Sequence, residues 1–342
     1  MSCLAVSSEE ITQQEGAPKA RSSHAVAVVG SKAYVFGGEF EPRVPIDNKV
    51  HVFDLRQRSW AVAELRGEIP SARVGVAMAA AGNTIFVFGG RDEQHQELNE
   101  FFSFDTVTGE WRLLSAEETS PPHRFAYLFF SRFKFSPLLA RLPARSYHTL
   151  AADKQGKNIY TFGGCGKAGR LNDLWVFNIE SSTWKKLPES STLTPRGGPG
   201  LAVVNGAVWV IFGFCGDELT DVHRFDIASQ TWEEVQVSCS SLQKPIGRSV
   251  FGTSCVGNKI FLYGGEVDPS DLGHLGAGAF TDELLVLDTE KLAWEKPRLE
   301  GKHPGARGWY AAAGFENSML VYGGNSATND RLDDMFLLSV RA

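Results

Sequence analysis

The sequence predicts an all-β protein, a six-bladed β-propeller with four antiparallel strands in each blade. Three observations predict it. A pair of glycines, in one case a degenerate pair, ends six short apolar runs at intervals of about 50 residues. A tryptophan follows five of these pairs after one further strand-like run. The composition, with 35 Gly and 23 Phe in 342 residues, is richer in glycine and aromatics than that of a helical protein.

Each repeat contains the same elements in the same order. An arginine opens it, followed by a run of small residues, a short turn and an apolar strand that ends in the glycine pair. A variable loop, a third strand, a turn and a tryptophan-bearing strand complete the unit, which gives four strands. The glycine pairs are Gly37-Gly38, Gly89-Gly90, Gly163-Gly164, the degenerate Gly213-Phe214, Gly264-Gly265 and Gly323-Gly324. The opening arginines are Arg21, Arg73, Arg145, Arg196, Arg248 and Arg307, and the tryptophans are Trp60, Trp111, Trp184, Trp232 and Trp294.

Packing around a common axis explains this repetition. One four-stranded unit cannot bury both of its faces alone, whereas radially packed blades cover one another, with a tryptophan in each gap. We expect the propeller to span residues 21–342. The sixth repeat ends without a tryptophan strand, so the N-terminal tail, residues 1–20, is expected to supply the last outer strand through its short apolar run Cys3–Val6. A weakly closed ring would leave an exposed edge.

The spacing between Trp111 and the next repeat breaks the pattern. Elsewhere the tryptophan precedes the next opening arginine by 12 to 16 residues, but Arg145 follows Trp111 by 34 and Arg124 follows it by 13. Removing residues 125–145 would join Arg124 to Ser146 and restore the spacing, which favours a retained intron or a faulty gene model. The alternative is a membrane-surface or partner-binding loop, because residues 125–143 contain five Phe, three basic residues and no acid.

Charge and cysteine content exclude several classes of protein. The net charge of −6 argues against nucleic acid or an anionic membrane as the main partner. No apolar run reaches the roughly 18 residues of a membrane span, and the N-terminus lacks the pattern of a secretory signal. The five cysteines never form C-x-x-C, so neither a zinc ribbon nor a disulfide framework is expected. These features predict a cytoplasmic protein, with the nucleus as a second location.

The repeats resemble the kelch pattern over roughly residues 20–340. The chain also resembles the plant kelch proteins that act as specifier proteins in glucosinolate breakdown, the nitrile-, epithio- and thiocyanate-forming proteins. The likeness lies in Gly-Gly-Arg91-Asp92-Glu93, Arg-Leu-Asn-Asp-Leu-Trp175, Gly-Gly-Glu266, Gly-Ala-Gly278 and Arg307-Gly-Trp309. The resemblance implies an Fe(II)-dependent, lyase-type conversion. In it the aglucone released by a thioglucosidase loses sulfate and is diverted toward nitriles or related products.

The loop after the fifth glycine pair is the predicted metal site. Glu266, Asp268, Asp271 and His274 lie within nine residues, and carboxylates with histidine suit Fe(II), although Asp-Pro-Ser-Asp is also ordinary turn chemistry. In the specifier proteins a Glu-x-x-x-Asp-x-x-x-His loop holds Fe(II), and the resemblance carries Glu266 and His274 onto its outer positions. Ser270 occupies the middle position, so Asp271 is the predicted third ligand and Asp268 the alternative.

Arg91 and Trp309 are the predicted substrate-binding residues. Arg91 could hold the substrate sulfate as a charge-assisted fork; the alternative is an ion pair with Asp92 or Glu93. Trp309 could stack on a ligand; the alternative is packing between blades. The six opening arginines are either blade architecture or the lining of one channel mouth, where they would attract an anionic ligand.

The sequence therefore predicts two alternative functions. The first is a specifier-like enzyme that acts on glucosinolate aglucones with Fe(II). The second is a non-catalytic interaction module whose rim loops bind another protein. The loop from Glu266 to His274 separates them, because a metal-binding triad there favours the enzyme and solvated turns favour the module.

Overall fold

The computed structural model describes residues 4–12, 16–115, 142–239, 244–272, 276 and 278–341. Regular structure in these ranges consists of β-strands, and none of the described residues belongs to a helix long and apolar enough to cross a membrane. The strands form six antiparallel sheets of four principal strands each, and the innermost strands of consecutive sheets are neighbours in a closed circle. The prediction of a six-bladed propeller is confirmed.

The strands are numbered along the chain. The first strand is β1 (Ala5–Glu10), and blade 1 contains β2 (Ser22–Val29), β3 (Lys32–Glu39), β4 (Val50–Asp54) and β5 (Ser59–Val62). After β6 (Arg66–Gly67), blade 2 contains β7 (Ala77–Ala81), β8 (Thr84–Phe88), β9 (Phe101–Asp105) and β10 (Glu110–Ser115). Blade 3 contains β11 (Thr149–Ala152), β12 (Asn158–Phe162), the small hairpin β13 (Cys165–Gly166) and β14 (Gly169–Arg170), then β15 (Leu174–Asn178) and β16 (Thr183–Lys186).

The second half repeats the same plan. Blade 4 contains β17 (Gly200–Val204), β18 (Ala207–Ile211), β19 (Val222–Asp226) and β20 (Thr231–Glu234). Blade 5 contains β21 (Gly252–Val256), β22 (Lys259–Tyr263), the hairpin β23 (Glu266–Asp268) and β24 (Ala279–Phe280), then β25 (Leu284–Asp288) and β26 (Ala293–Glu295). Blade 6 follows β27 (Arg298–Gly301) and contains β28 (Arg307–Gly308), β29 (Ala311–Phe315), β30 (Ser318–Ser326) and β31 (Arg331–Val340).

The N-terminal strand completes the last blade. β1 pairs antiparallel with β31, with Val6 opposite Val340, and runs parallel to β27 on its other side. Val6 is completely buried between blades 5 and 6. The outer strand of blade 6 therefore comes from the start of the chain, whereas its other strands come from the end.

The core is divided into six apolar clusters, each between two neighbouring blades. The second strand of each blade is packed on both faces, which explains its continuous apolar sequence. Each repeat tryptophan contacts an aromatic ring of the preceding blade, with ring centroids 4.8–6.2 Å apart. The pairs are Trp60–Tyr322, Trp111–Phe36, Trp184–Phe101, Trp232–Phe162 and Trp294–Phe212.

The six opening arginines are buried within the blades and do not line the channel mouth. Each donates to the carbonyl of the first residue of its glycine pair, at 2.9–3.3 Å. Each also pairs with a carboxylate of its own blade; these carboxylates are Asp47, Glu100, Asp173, Asp221, Glu283 and Asp334. A buried guanidinium needs such a counter-charge. The idea of a cationic ring of opening arginines is wrong, because their charge is neutralised inside the blades.

The degenerate glycine pair is Phe212-Gly213, one residue earlier than the sequence suggested. Arg196 donates to the carbonyl oxygen of Phe212, and Phe214 pairs with Gly197 as Cys165 pairs with Ser146 one blade earlier. Phe212 has a φ of 55°, in the left-handed region that glycine occupies in the other blades.

Candidate functional site

Six residues form a closed collar of backbone hydrogen bonds at one mouth of the central channel. Each lies two positions after an opening arginine, and its N–H donates to the carbonyl oxygen of the equivalent residue in the preceding blade at 2.8–2.9 Å. All six have φ between 47° and 62°. The members of this collar are Ser23, Gly75, Tyr147, Gly198, Val250 and Trp309.

The collar stores backbone strain. A left-handed φ costs a non-glycine residue about 1–2 kcal/mol, and it is rarest for a β-branched residue such as Val250. The ring of hydrogen bonds holds these conformations in place, and strained backbone of this kind is concentrated at functional sites. The collar thus fixes four side chains (Ser23, Tyr147, Val250 and Trp309) at the channel mouth.

A second circle, here called the rim, surrounds the collar. It consists of the residue after each glycine pair, and each rim residue pairs with the residue that follows the opening arginine of its own blade. The rim residues are Glu39, Arg91, Cys165, Phe214, Glu266 and Asn325. The repeat therefore places one variable side chain per blade at the mouth on a conserved backbone geometry.

Collar and rim together enclose a cavity of about 320 Å³. Tyr147, Phe214 and Trp309 give it an aromatic wall, and the rings of Tyr147 and Trp309 meet edge to face with centroids 5.3 Å apart. Glu39, Glu266, Arg170 and Asn325 add polar groups. A largely apolar cavity with a few charged groups, near the lower end of the usual size range, suits a small-molecule ligand. Trp309 lies at this cavity and also lines the central channel, which has a volume of about 980 Å³.

Arg91 is paired with Glu97, whereas the sequence suggested Asp92 or Glu93 as its partner. Its Nε lies 2.8 Å and its Nη2 2.6 Å from Oε1 of Glu97, and its guanidinium lies over the ring of Tyr147 at 5.4 Å. The side chain keeps about a quarter of its surface exposed at the rim. Arg91 is therefore held in place beside the cavity.

The predicted metal ligands of blade 5 differ in their surroundings. Glu266 is buried in the cavity wall, and burial together with the charge of Asp268 raises the pKa of its carboxyl to about 7. Asp268 and Asp271 are exposed, and His274 lies outside the described residues. Within the described ranges, no group of three His, Cys, Asp or Glu side chains forms a metal-binding cluster.

Several mouth residues were not singled out from the sequence. Arg170 reaches the cavity from the hairpin of blade 3, where its guanidinium lies 4.5 Å from the centroid of Phe214 and pairs with no described carboxylate. Glu218, in the loop of blade 4, accepts a hydrogen bond from Ser249 Oγ at 2.9 Å. Counting two residues after each opening arginine would have found Tyr147. Counting one residue after each glycine pair finds Phe214 only when the degenerate pair is placed at Phe212-Gly213. Arg170 and Glu218 lie in loops of irregular length, where no such count applies.

Glu39 and Arg331 form a second charged group at the mouth. Both side chains are buried, and Nη2 of Arg331 lies 3.7 Å from Oε1 of Glu39. Glu39 also accepts hydrogen bonds from Ser23 Oγ and from the backbone N–H of Arg43. This part of the mouth, where blade 6 meets blade 1, is electrically balanced by its own ion pair.

Comparisons with known proteins agree with this architecture. The model of the KLHDC2/KLHL20/DRC7 Kelch-repeats domain matches residues 23–131 and 134–265. A solved structure of YjhT superposes with a TM-score of 0.70 over 95% of this chain and 96% of that one, at 16% identity, which bears on the fold alone.

Two curated relatives differ in how much of their own length is matched. The chain is 34% identical to N-(sulfonatooxy)prop-2-enimidothioate sulfolyase of Thlaspi arvense, over 95% of this chain and 94% of that protein. It is 25% identical to Host cell factor of Drosophila melanogaster over 90% of this chain, but spans only 21% of that protein.

Proposed function

The chain belongs to the kelch-repeat proteins and, among them, to the specifier proteins, and on that premise we propose that it converts glucosinolate aglucones. The proposed reaction follows the action of a thioglucosidase and directs the aglucone toward nitriles or related products, with Fe(II) as cofactor. The relative from Thlaspi arvense is named for a sulfolyase reaction on an N-sulfonatooxy imidothioate, a small anion that carries a sulfate ester.

The observation that carries the proposal is the pair of unbalanced charges in the mouth cavity. Arg170 forms no ion pair with a described residue, and the buried carboxylate of Glu266 accepts no hydrogen bond from one. A cavity with a free guanidinium on one side and an uncompensated carboxylate on the other suits an anionic ligand bound together with a cation.

In this proposal the substrate sulfate binds Arg170, with Arg91 as the second contact. Arg170 has its fork available, whereas Arg91 already holds Glu97 and acts from a fixed position over Tyr147. Tyr147 and Trp309 form a rigid aromatic wall against which the aglucone side chain packs and from which water is excluded. The collar supports this wall because both residues belong to it.

The residues of blade 5 fit a divalent cation in their donor chemistry. A buried carboxylate whose pKa is raised by burial and by the charge of Asp268 gains stability from a nearby cation. We propose Glu266, Asp271 and His274 as ligands, with Asp268 as the alternative to Asp271. Iron held there would supply a Lewis acid for the aglucone sulfur. The protein would orient the sulfate end toward Arg170.

The test is a product assay with a thioglucosidase and an alkenyl glucosinolate, with and without added Fe(II), read by gas chromatography. We expect Fe(II)-dependent nitrile or epithionitrile that disappears in Glu266→Gln. Arg170→Ala should reduce it about tenfold or more, because a charge-assisted hydrogen bond contributes about 1.5–3 kcal/mol. Lys167→Ala, on the same hairpin and exposed, is the matched control for loss of one positive charge. Isothiocyanate alone from the folded protein would refute the enzymatic function.

A protein-binding module is the second candidate. Large apolar side chains are exposed on loops at the mouth face: Val44 and Leu272 on glycine-pair loops and Ile246 between blades 4 and 5. Exposed apolar groups around a charged centre are typical of protein-binding surfaces. If this is the function, Val44→Ser with Leu272→Ser should abolish capture of a partner by the immobilised protein, while Val107→Ser, a substitution of an exposed valine in the β9–β10 turn, should not.

A further inference from the structure

Glu218 is a carboxylate that the predicted metal loop does not include. It lies in the loop between β18 and β19, where its backbone pairs with Phe214 of the rim. Oε1 accepts a hydrogen bond from Ser249 Oγ at 2.9 Å, whereas Oε2 is buried and has no hydrogen-bond partner among the residues that the structure describes. Leaving a buried carboxylate oxygen unpaired is costly, so such an atom indicates a missing partner.

Ser249 holds Glu218 and Glu266 side by side. Its backbone N–H donates to the carbonyl oxygen of Glu266 at 3.0 Å and its carbonyl accepts the N–H of Glu266 at 2.9 Å, while its hydroxyl holds Glu218. Two glutamates from neighbouring blades thus flank one serine at the edge of the mouth cavity. No salt bridge joins either glutamate to a described cation.

Arg248 and Arg170 act on Glu218 electrostatically, but neither forms an ion pair with it. Arg248 donates to Oε2 of Glu283 at 2.6 Å inside blade 5, whereas the guanidinium of Arg170 lies over the ring of Phe214 and pairs with no described carboxylate. On the other side, Asp268 adds a further negative charge. Two adjacent carboxylates with an orphaned oxygen between blades need either a cation or a proton.

We propose that Glu218 is a ligand of the divalent cation at Glu266 and supplies the carboxylate that blade 5 lacks at Ser270. The inference rests on the proposed Fe(II) site but assigns a residue of another blade to it. The site would then join blades 4 and 5, with Ser249 as the residue that positions both glutamates. A proton shared by the two glutamates is the competing explanation, and metal binding distinguishes the two.

The experiment measures the dissociation constant of Fe(II) alone by anaerobic equilibrium dialysis, with Mn(II) electron paramagnetic resonance as a second readout. Glu218→Gln keeps the shape and removes the charge, and we expect it to weaken binding about tenfold or more. Asp217→Asn is the matched control, because it removes the same charge from the exposed neighbouring residue; we expect a change below about twofold. Ser249→Ala should weaken binding by less than Glu218→Gln.

The most discriminating comparison uses a variant in which blade 5 regains its carboxylate. In a Ser270→Asp background, which returns the blade-5 carboxylate, the effect of Glu218→Gln should shrink by about tenfold, because two ligands that substitute for one another are not additive. Thermal unfolding without metal confirms that each variant is folded. Unchanged affinity in Glu218→Gln with loss in Glu266→Gln would overturn the role of Glu218 and leave the iron site standing. Absence of binding by the unmodified protein would refute both.

Discussion

At the scale of single residues, two buried histidines make the protein sensitive to acid. His24 and His148 lie three positions after opening arginines and meet Tyr322 and Phe88 edge to face at 5.2 and 5.0 Å. Burial, reinforced by the charge of Arg21, lowers the pKa of His24 to about 3, and burial beside Arg145 lowers the pKa of His148. Both rings are therefore neutral in the folded protein.

The two buried histidines make the folded protein less stable in acid. Well above pH 6.5 they are neutral in both the folded and the unfolded chain, but as the pH falls toward 3 only the unfolded chain takes up protons on them. At pH 5 the loss is roughly 2 kcal/mol for His24. Phe251 occupies the equivalent position in blade 5, so a phenylalanine is expected to fit in place of His24. His24→Phe should reduce the fall in the urea midpoint between pH 7 and pH 5. His303→Gln, an exposed control, should leave that fall unchanged. An equal fall in all three proteins would contradict the assignment.

At the scale of elements, Phe212 shows how packing can override a backbone preference. It occupies a position that is glycine in the other blades, at a φ of 55°, yet its ring is buried and stacks on Trp294 with centroids 5.4 Å apart. Removing a buried phenylalanine costs about 3–5 kcal/mol, whereas a left-handed φ costs about 1–2 kcal/mol. The ring contact between blades 4 and 5 therefore outweighs the strain.

Two substitutions separate these effects. Phe212→Ala loses the ring and keeps the strained φ, while Phe212→Gly loses the ring and relieves the strain. Both should lower the free energy of unfolding in urea, with the glycine variant about 1 kcal/mol more stable than the alanine variant. This order reverses the usual preference for alanine, and the opposite order would contradict the strain.

The blades could be predicted from the sequence more completely than the residues at the channel mouth. Periodicity located every blade because the opening arginine, glycine pair and tryptophan each satisfy a fixed requirement of backbone or packing. The degenerate pair was misplaced because Phe212 satisfies the same backbone position through its ring. Arg170 and Glu218 were missed because they lie in loops of irregular length, beside a cavity that only the closed ring creates. The surroundings of Glu266 depend on its backbone pairing with Ser249, which only the folded blade brings about.

At the scale of the whole molecule, the ring is closed twice by groups that are distant in sequence. β1 joins β31 at the outside of blade 6, and the collar joins Ser23 of blade 1 to Trp309 of blade 6 at the inside. Each collar hydrogen bond requires its neighbours to hold their left-handed φ. The mouth cavity is thus a property of the complete ring.

The extra residues 125–145 before blade 3 can be compared with the way the other blades begin. Arg145 opens the blade by bonding Asp173 and the carbonyl of Gly163, and its Nε donates to the carbonyl oxygen of Pro143 two positions earlier. Four other blades have proline three positions before the arginine: Pro18, Pro70, Pro245 and Pro304. At Arg145 that position is Leu142, but at Arg124 it is Pro121. The chain without residues 125–145 therefore matches the blade entry better than the chain with them.

We accordingly expect a variant lacking residues 125–145 to fold with Arg124 in the place of Arg145. In that shortened chain, Arg124→Ala would leave Asp173 buried without its partner and should cost about 3–5 kcal/mol of unfolding free energy in urea. In the full-length chain Arg145 already fills the site, so the same substitution should cost less than about 0.5 kcal/mol. Equal costs in the two chains, or a shortened chain that does not fold, would show that residues 125–145 belong to the propeller. The contrast tests whether one buried ion pair per blade is enough to set where a repeat begins.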